Sequence, residues 1–101
     1  MSELADVELD EKVKIDVIEP GKYNVVFLND DKTPIDFVIK LLTDIYKHNR
    51  ESAEAITLNI HHEGSGVAGV YPFEIAEQKG AETVTISREH GFPLRVKVEK
   101  E

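Results

Sequence analysis

From residue 22 onward the apolar positions of the chain follow two different periods. Tyr23-Asn24-Val25-Val26-Phe27-Leu28 is dense in β-branched and aromatic residues. That density predicts a strand apolar on both faces, lying centrally in a sheet or beneath helices. Asn29-Asp30-Asp31-Lys32 ends it. Thr33, Pro34 and Asp36 then read as an N-cap, a first helical residue and an acid three positions after the cap. Ile35, Val38, Ile39, Leu42, Ile45 and Tyr46 recur at three- and four-residue steps, which predicts a helix with one apolar stripe to about Lys47. His48-Asn49 breaks the stripe, and Asn49 caps a second helix with Ala53, Ile56 and Ile60 inward and an end near Glu63-Gly64. Residues 66–71 form a short strand, with glycines where side chains are unwelcome. Pro72 opens a third helix with Phe73, Ala76, Gly80, Ala81 and Val84 on one side; Thr83, Thr85 and Ile86 make its last turns weak, and Gly91 stops it. Finally Leu94, Val96 and Val98 alternate with Arg95, Lys97 and Glu99, the period of a half-exposed strand. The predicted order is β-α-α-β-α-β.

Composition adds a boundary and several exclusions. Residues 1–19 hold seven acids and two bases, a net of 2 − 7 = −5 out of the −8 of the whole 101-residue chain. Their few apolar residues are interleaved with charge, and Pro20-Gly21 closes the segment. Residues 1–21 are therefore expected to be an acidic flexible extension and residues 22–101 a single core domain. The negative field lacks the phosphate-neutralising charge that nucleic-acid binding needs, and anionic membranes repel it. With no cysteine, disulfides and thiolate metal sites are excluded, and a reducing, cytoplasmic setting is expected. The first residues lack the cationic and apolar regions of a secretory signal, and no stretch approaches the roughly 18 apolar residues of a membrane span.

Candidate chemistry concentrates in two places. Asn29-Asp30-Asp31 reads either as turn chemistry, with Asn and Asp bonding their own backbone, or as an acceptor cluster for a cation beside a helix N-terminus that keeps both carboxylates ionised. His61 and His62 point about 100° apart on a helix, so one of them faces a given pocket and they do not chelate a metal together. His61 shares a face with Thr57 and Ile60 and is the histidine expected to look inward. The few serines sit in no nucleophile elbow, no glycine-rich phosphate loop is present, and no third group completes an acid–base pair with His61. The chain does not read as an enzyme.

Tyr23-Asn24-Val25-Val26-Phe27-Leu28-Asn29-Asp30-Asp31-Lys32-Thr33-Pro34, followed by Phe37-Val38, His61, Gly69-Val70, Glu74 with Lys79, and Pro93-Leu94, resembles the ClpS family of N-degron adaptors over about residues 22 to 99. The acidic leader is similar to that family's N-terminal extension. The resemblance implies an α+β fold in which three helices cover one face of a three-stranded antiparallel sheet. It implies an adaptor, without cofactor or metal and expected to be monomeric, that captures proteins bearing a bulky hydrophobic N-terminal residue (Leu, Phe, Tyr or Trp). These substrates would pass to a ClpA- or ClpC-type AAA+ unfoldase. Carried over, the motif assigns Asn29, Asp31 and His61 to the substrate's free α-amino group, with Asp30 adding negative field. Phe27, Thr33, Ile35, Val38, Thr57, Ile60 and Leu94 would line the side-chain pocket, and Glu74 and Lys79 would dock on the unfoldase's N-terminal domain. Ile35 and Thr57 stand where methionines are common in the family. The same element order is also similar to the C-terminal domain of the ribosomal stalk protein, a non-catalytic interaction module with no reason to carry the Asn29, Asp31, His61 trio with Leu94.

Overall fold

The computed structural model describes Val13–Ile15 and residues 20–101. Its elements are β1 (Val13–Ile15), β2 (Lys22–Leu28), α1 (Ile35–Asp44), α2 (Arg50–Glu63), β3 (Ser65–Pro72), α3 (Phe73–Glu89) and β4 (Arg95–Lys100). β2 is central and pairs antiparallel with β3 on one side and β4 on the other, so the expected β-α-α-β-α-β order stands. Most of the segment read as a flexible extension lies outside the described residues. β1 is the exception: three residues join the free edge of β4 in parallel, Val13 opposite Val96 and Ile15 opposite Val98, and make the sheet four-stranded. An apolar-polar-apolar triplet is enough to pair with an otherwise bare edge, and too short to stand out from the charged residues around it.

One face of the sheet carries the core. Tyr23, Val25 and Phe27 of β2 and Val96 and Val98 of β4 are almost wholly buried and pack with Val38, Leu42, Ile60, Ala76 and Val84 from the helices. α3 packs against all three antiparallel strands, α2 against β3, and α1 against α2. β2 is indeed buried on both faces, since Val26, between two core residues, is only 4% exposed. The expected weakness of the last turns of α3 does not materialise, because packing outweighs propensity there. Thr83 and Ser87 are buried on the core side, and their hydroxyls donate to the Lys79 and Thr83 carbonyls one turn back.

The caps decide where the helices point. Asn49 caps α2 as expected, its side chain accepting from the Ser52 N–H at 2.8 Å, and Gly64 ends α2 in the left-handed region at φ 90°. α1 differs from expectation: Pro34, not Thr33, is its N-cap, without a side-chain cap bond, and the helix stops at Asp44. The Thr33 hydroxyl is turned back to Asp30 at 2.9 Å, and the Pro34 carbonyl receives the Phe37 and Val38 N–H groups. At the other end Lys47 turns through φ 62°, and Ile45 and Tyr46 stay buried beyond the last helical turn. The Ile45 carbonyl is met by the ammonium of Lys79 on α3 at 2.7 Å.

Candidate functional site

Register brings the two candidate segments together. Leu28 pairs with both Ser65 and Arg95, so the end of β2, the beginning of β3 and the beginning of β4 lie side by side. One further bond ties the corner: the Asn29 N–H donates to the Gly64 carbonyl at 2.9 Å. The last turn of α2, with His61, is thereby held against the Asn29-Asp30-Asp31 loop, and α1 leaves from the same corner. The carbonyl end of α2 adds partial negative charge there.

Between these parts lies a cleft of about 280 Å³. Asn29, Asp30, Asp31 and His61 line its polar side, and Thr33, Ile35, Val38, Thr57 and Ile60 form the remainder. His62 is not on it, as the helical spacing required. Val38, Thr57 and Ile60 are buried, whereas Ile35 is 50% exposed. Phe27 and Leu94, expected in the pocket wall, do not line the cleft itself. They line a void of about 20 Å³ that shares Asn29, Asp30, Thr33, Val38 and Ile60 with it. Both side chains belong to the core-facing set of their segments and are no more than 2% exposed, which places them beneath the cleft as its floor.

The two aspartates have separate jobs. Asp30 is half-buried and fully committed: Oδ1 accepts from the N–H groups of Lys32 (2.8 Å) and Thr33 (2.7 Å), and Oδ2 accepts from the Thr33 hydroxyl (2.9 Å). Burial alone would raise its pKa. The backbone and side-chain bonds from Thr33 and Lys32, helped by the charge of Arg95, outweigh burial and hold the carboxyl below the ordinary carboxylate range. Asp31 is exposed, and among the described residues its carboxylate has no hydrogen-bond or ion-pair partner. Turn chemistry, one of the two readings the sequence allowed, is thus taken up by Asp30, and the Asp31 carboxylate is left out of it. The Asp-x-x-Thr spacing signals the first role, but the part played by Arg95 comes from a strand 65 positions later and has no local signal.

Thr57 sends its hydroxyl proton to the Ala53 carbonyl at 2.8 Å, so toward the cleft it retains only acceptor capacity. Gly66 makes room for the wall: a Cβ there would sit 2.7 Å from Cγ1 of Ile60. Glu74 is exposed in the first turn of α3. Lys79 is half-buried, bonded to the Ile45 carbonyl and 5.8 and 5.3 Å from the ring centres of Tyr46 and Tyr71. The two do not form an ion pair with each other among the described residues. A larger, more open groove of about 440 Å³ runs along α1 between Asp36, Lys40, Asp44 and Arg50. Its charges are largely matched already, Lys40 with Asp44 at 3.2 Å and Arg50 with Glu54 at 2.8 Å, and it lacks the motif residues. Among the described residues no group of three or more His, Asp or Glu is placed to hold a metal ion, and no helix is long and apolar enough to cross a membrane.

Comparison with known proteins places the chain in a family. Residues 18–97 match the family described as ATP-dependent Clp protease adaptor protein ClpS. The ClpS adaptor of Nautilia profundicola is 45% identical over 86 residues, covering 85% of this chain and 89% of that protein. The ClpS adaptor of Oleidesulfovibrio alaskensis is 45% identical over 96 residues, covering 95% and 88%. Among solved structures, Agrobacterium tumefaciens ClpS2 bound to L-phenylalaninamide superposes with a TM-score of 0.78 at 35% identity, over 82% of this chain and all of that one. The stalk-domain alternative gives way to these matches. The chain belongs to the ClpS family, the non-catalytic adaptors of the ATP-dependent Clp protease.

Proposed function

We propose that the cleft binds the free α-amino group and the bulky hydrophobic first side chain of N-degron proteins, and that the chain delivers them to a ClpA- or ClpC-type unfoldase in the cytoplasm. The observation that carries this reading is the pairing, in one cleft of about 280 Å³, of unsatisfied acceptors with a buried apolar wall. That volume lies just under the roughly 300–1,000 Å³ of drug-sized ligand sites, which suits one amino-acid side chain better than a cofactor. An α-ammonium has three donors and no acceptor; the Asn29 amide oxygen, the Asp31 carboxylate and a neutral His61 nitrogen supply three acceptors. Asp30, its oxygens occupied, shapes the loop that presents them. An acetylated or internal amide nitrogen carries neither the charge nor the three donors.

Burying a Leu or Phe side chain contributes about 1.5–3 kcal/mol, and each hydrogen bond to a charged group about as much. One side chain and three such bonds give about 6–12 kcal/mol gross, from which the cost of lost translational freedom is subtracted. The Agrobacterium relative's ligand, L-phenylalaninamide, has the same two features, a free α-amine and an aromatic side chain. Under this reading residues 1–21 are an extension to the core domain, and Glu74 offers the freer contact to the unfoldase. Lys79 contributes there only as far as its ammonium leaves the Ile45 carbonyl.

Fluorescence anisotropy of labelled peptides tests it. Peptides starting with Phe or Leu bind at micromolar concentration, while a Met-starting peptide and the Phe peptide acetylated at its α-amine do not. Equal binding of the free and acetylated peptides contradicts the proposal. Degradation of a Phe-starting reporter by ClpA or ClpC with ClpP, with and without the chain, then assigns the unfoldase.

A further inference from the structure

Leu94 floors the cleft, yet it belongs to no regular element; it lies in the turn between α3 and β4. A side chain on such a segment stays in place only if the backbone is bonded to the body of the fold. The bonds here come from the end of α3. The Phe92 N–H donates to the Ser87 carbonyl at 2.9 Å, and Gly91 turns the chain at φ 81°. Arg88 then reaches across the turn, and its Nη1 donates to the carbonyls of Phe92 at 3.0 Å and Leu94 at 2.8 Å. Pro93, between those two acceptors, has no N–H with which to tie the segment itself. Among the described residues Arg88 has no carboxylate partner, so these carbonyls are what its charge serves. Phe27, the other floor residue, is fixed in the central strand. Leu94 is therefore the adjustable part of the floor, and the void of about 20 Å³ beside it gives room for about one water, so small displacements change the depth available to a ligand.

We infer that Arg88 is a positioning residue for substrate selection: by fixing the Phe92–Leu94 backbone it sets how far the Leu94 side chain stands below the cleft, and hence which first side chains fit. The inference rests on the proposed reading of the cleft. Arg88 acts only through Leu94 and touches no ligand.

The test compares wild type, Arg88→Met and Arg88→Lys for dissociation constants of peptides starting with Leu, Phe and Trp, with circular dichroism to verify the fold. In Arg88→Met the loosened floor yields to the larger ring, and the Trp-to-Leu affinity ratio moves toward Trp by at least about threefold; Arg88→Lys, which keeps the charge and donors but on a shorter, more flexible stem without the planar fork, falls between. In a Leu94→Val background the Arg88→Met change in that ratio disappears, because neighbours acting through one contact are not additive. A merely structural role lowers the melting temperature and leaves the ratio where it was. An unchanged ratio, or a change that persists undiminished with Val at 94, overturns the inference. Should Arg88→Met fail to fold, the same two readouts on Arg88→Lys decide. A wild-type protein that binds none of the peptides removes the reading of the cleft and the inference with it, whereas binding with an unchanged ratio removes the inference alone.

Discussion

The polar rim and the apolar floor of the cleft are built on opposite plans. The apolar side comes from residues that the fold needs anyway: Val38 and Ile60 in the wall and Phe27 and Leu94 in the floor all belong to the buried set. The rim comes from residues the fold does not bury. Asn29, Asp31 and His61 are exposed, and they are held in place by backbone, through the Asn29–Gly64 bond and the Asp30 turn. Under the proposed function the apolar side thus couples recognition to stability, while the rim separates them. Within the rim the separation runs between neighbours, since Asp30 builds the loop and Asp31 stands exposed beside it.

The pair of aspartates gives the largest expected effect. Asp31→Ala removes a charged acceptor, worth about 1.5–3 kcal/mol and so tens-fold or more in affinity for a Phe-starting peptide, while the melting temperature stays at the wild-type value. Asp30→Ala weakens binding as well, and in addition costs about 1 kcal/mol of stability, as loss of a capping carboxylate does. Equal melting temperatures for the two variants break the comparison. The same contrast has a pH signature. Because the Asp30 carboxyl is held below its unfolded value near 3.8, its contribution to stability is fully present above that value and is lost as pH falls through the lower folded one. Acid unfolding of wild type and Asp30→Asn therefore converges at low pH.

A substitution behind the floor should damage both properties at once. Gly66→Ala places a methyl against Ile60, and the overpacking costs about 1–3 kcal/mol while pushing Ile60 toward the cleft. Chemical denaturation and the affinity for a Phe-starting peptide are expected to fall together; a loss of stability with unaltered affinity contradicts the coupling.

How much of this was legible in the sequence follows the same division. The floor was readable from the apolar pattern, because burial imposes a spacing of two on β4 and of three or four on the helices, and fills both faces of β2. Phe27 and Leu94, expected to line the pocket, line the small void that adjoins the cleft. The rim was readable as chemistry but not as roles. Two adjacent acids in a turn look alike until the N–H groups of Lys32 and Thr33 are seen to choose Asp30, which also takes the Thr33 hydroxyl and so the side chain expected to cap α1. Long-range ties leave no local pattern, and the bonds from Lys79 to Ile45 and from His48 to the Ala68 carbonyl in the bulged β3 edge are of this kind.

The smallest effects concern ranking among substrates. Ile35, half-exposed on the cleft wall, is branched at Cβ and stiff at χ1, so peptides starting with Leu are expected to bind better than those starting with Ile or Val. Ile35→Met, with a flexible thioether, narrows that gap, and equal affinity of wild type for Leu- and Ile-starting peptides contradicts it. Thr57 can accept a hydrogen bond from a tyrosine hydroxyl, because its own proton goes to Ala53. Thr57→Val lowers the Tyr-to-Phe affinity ratio by about the 0.5–1.5 kcal/mol of one neutral bond; an unchanged ratio removes the idea.

The most direct measurement is a ¹H–¹⁵N titration of the protein with L-phenylalaninamide and with its N-acetyl derivative. The account predicts saturable shifts for the amine at Asn29, Asp31 and His61, together with Val38 and Ile60, and none for the acetylated compound. Shifts confined to the groove of Asp36, Lys40 and Arg50, or the same shifts from both compounds, would contradict it.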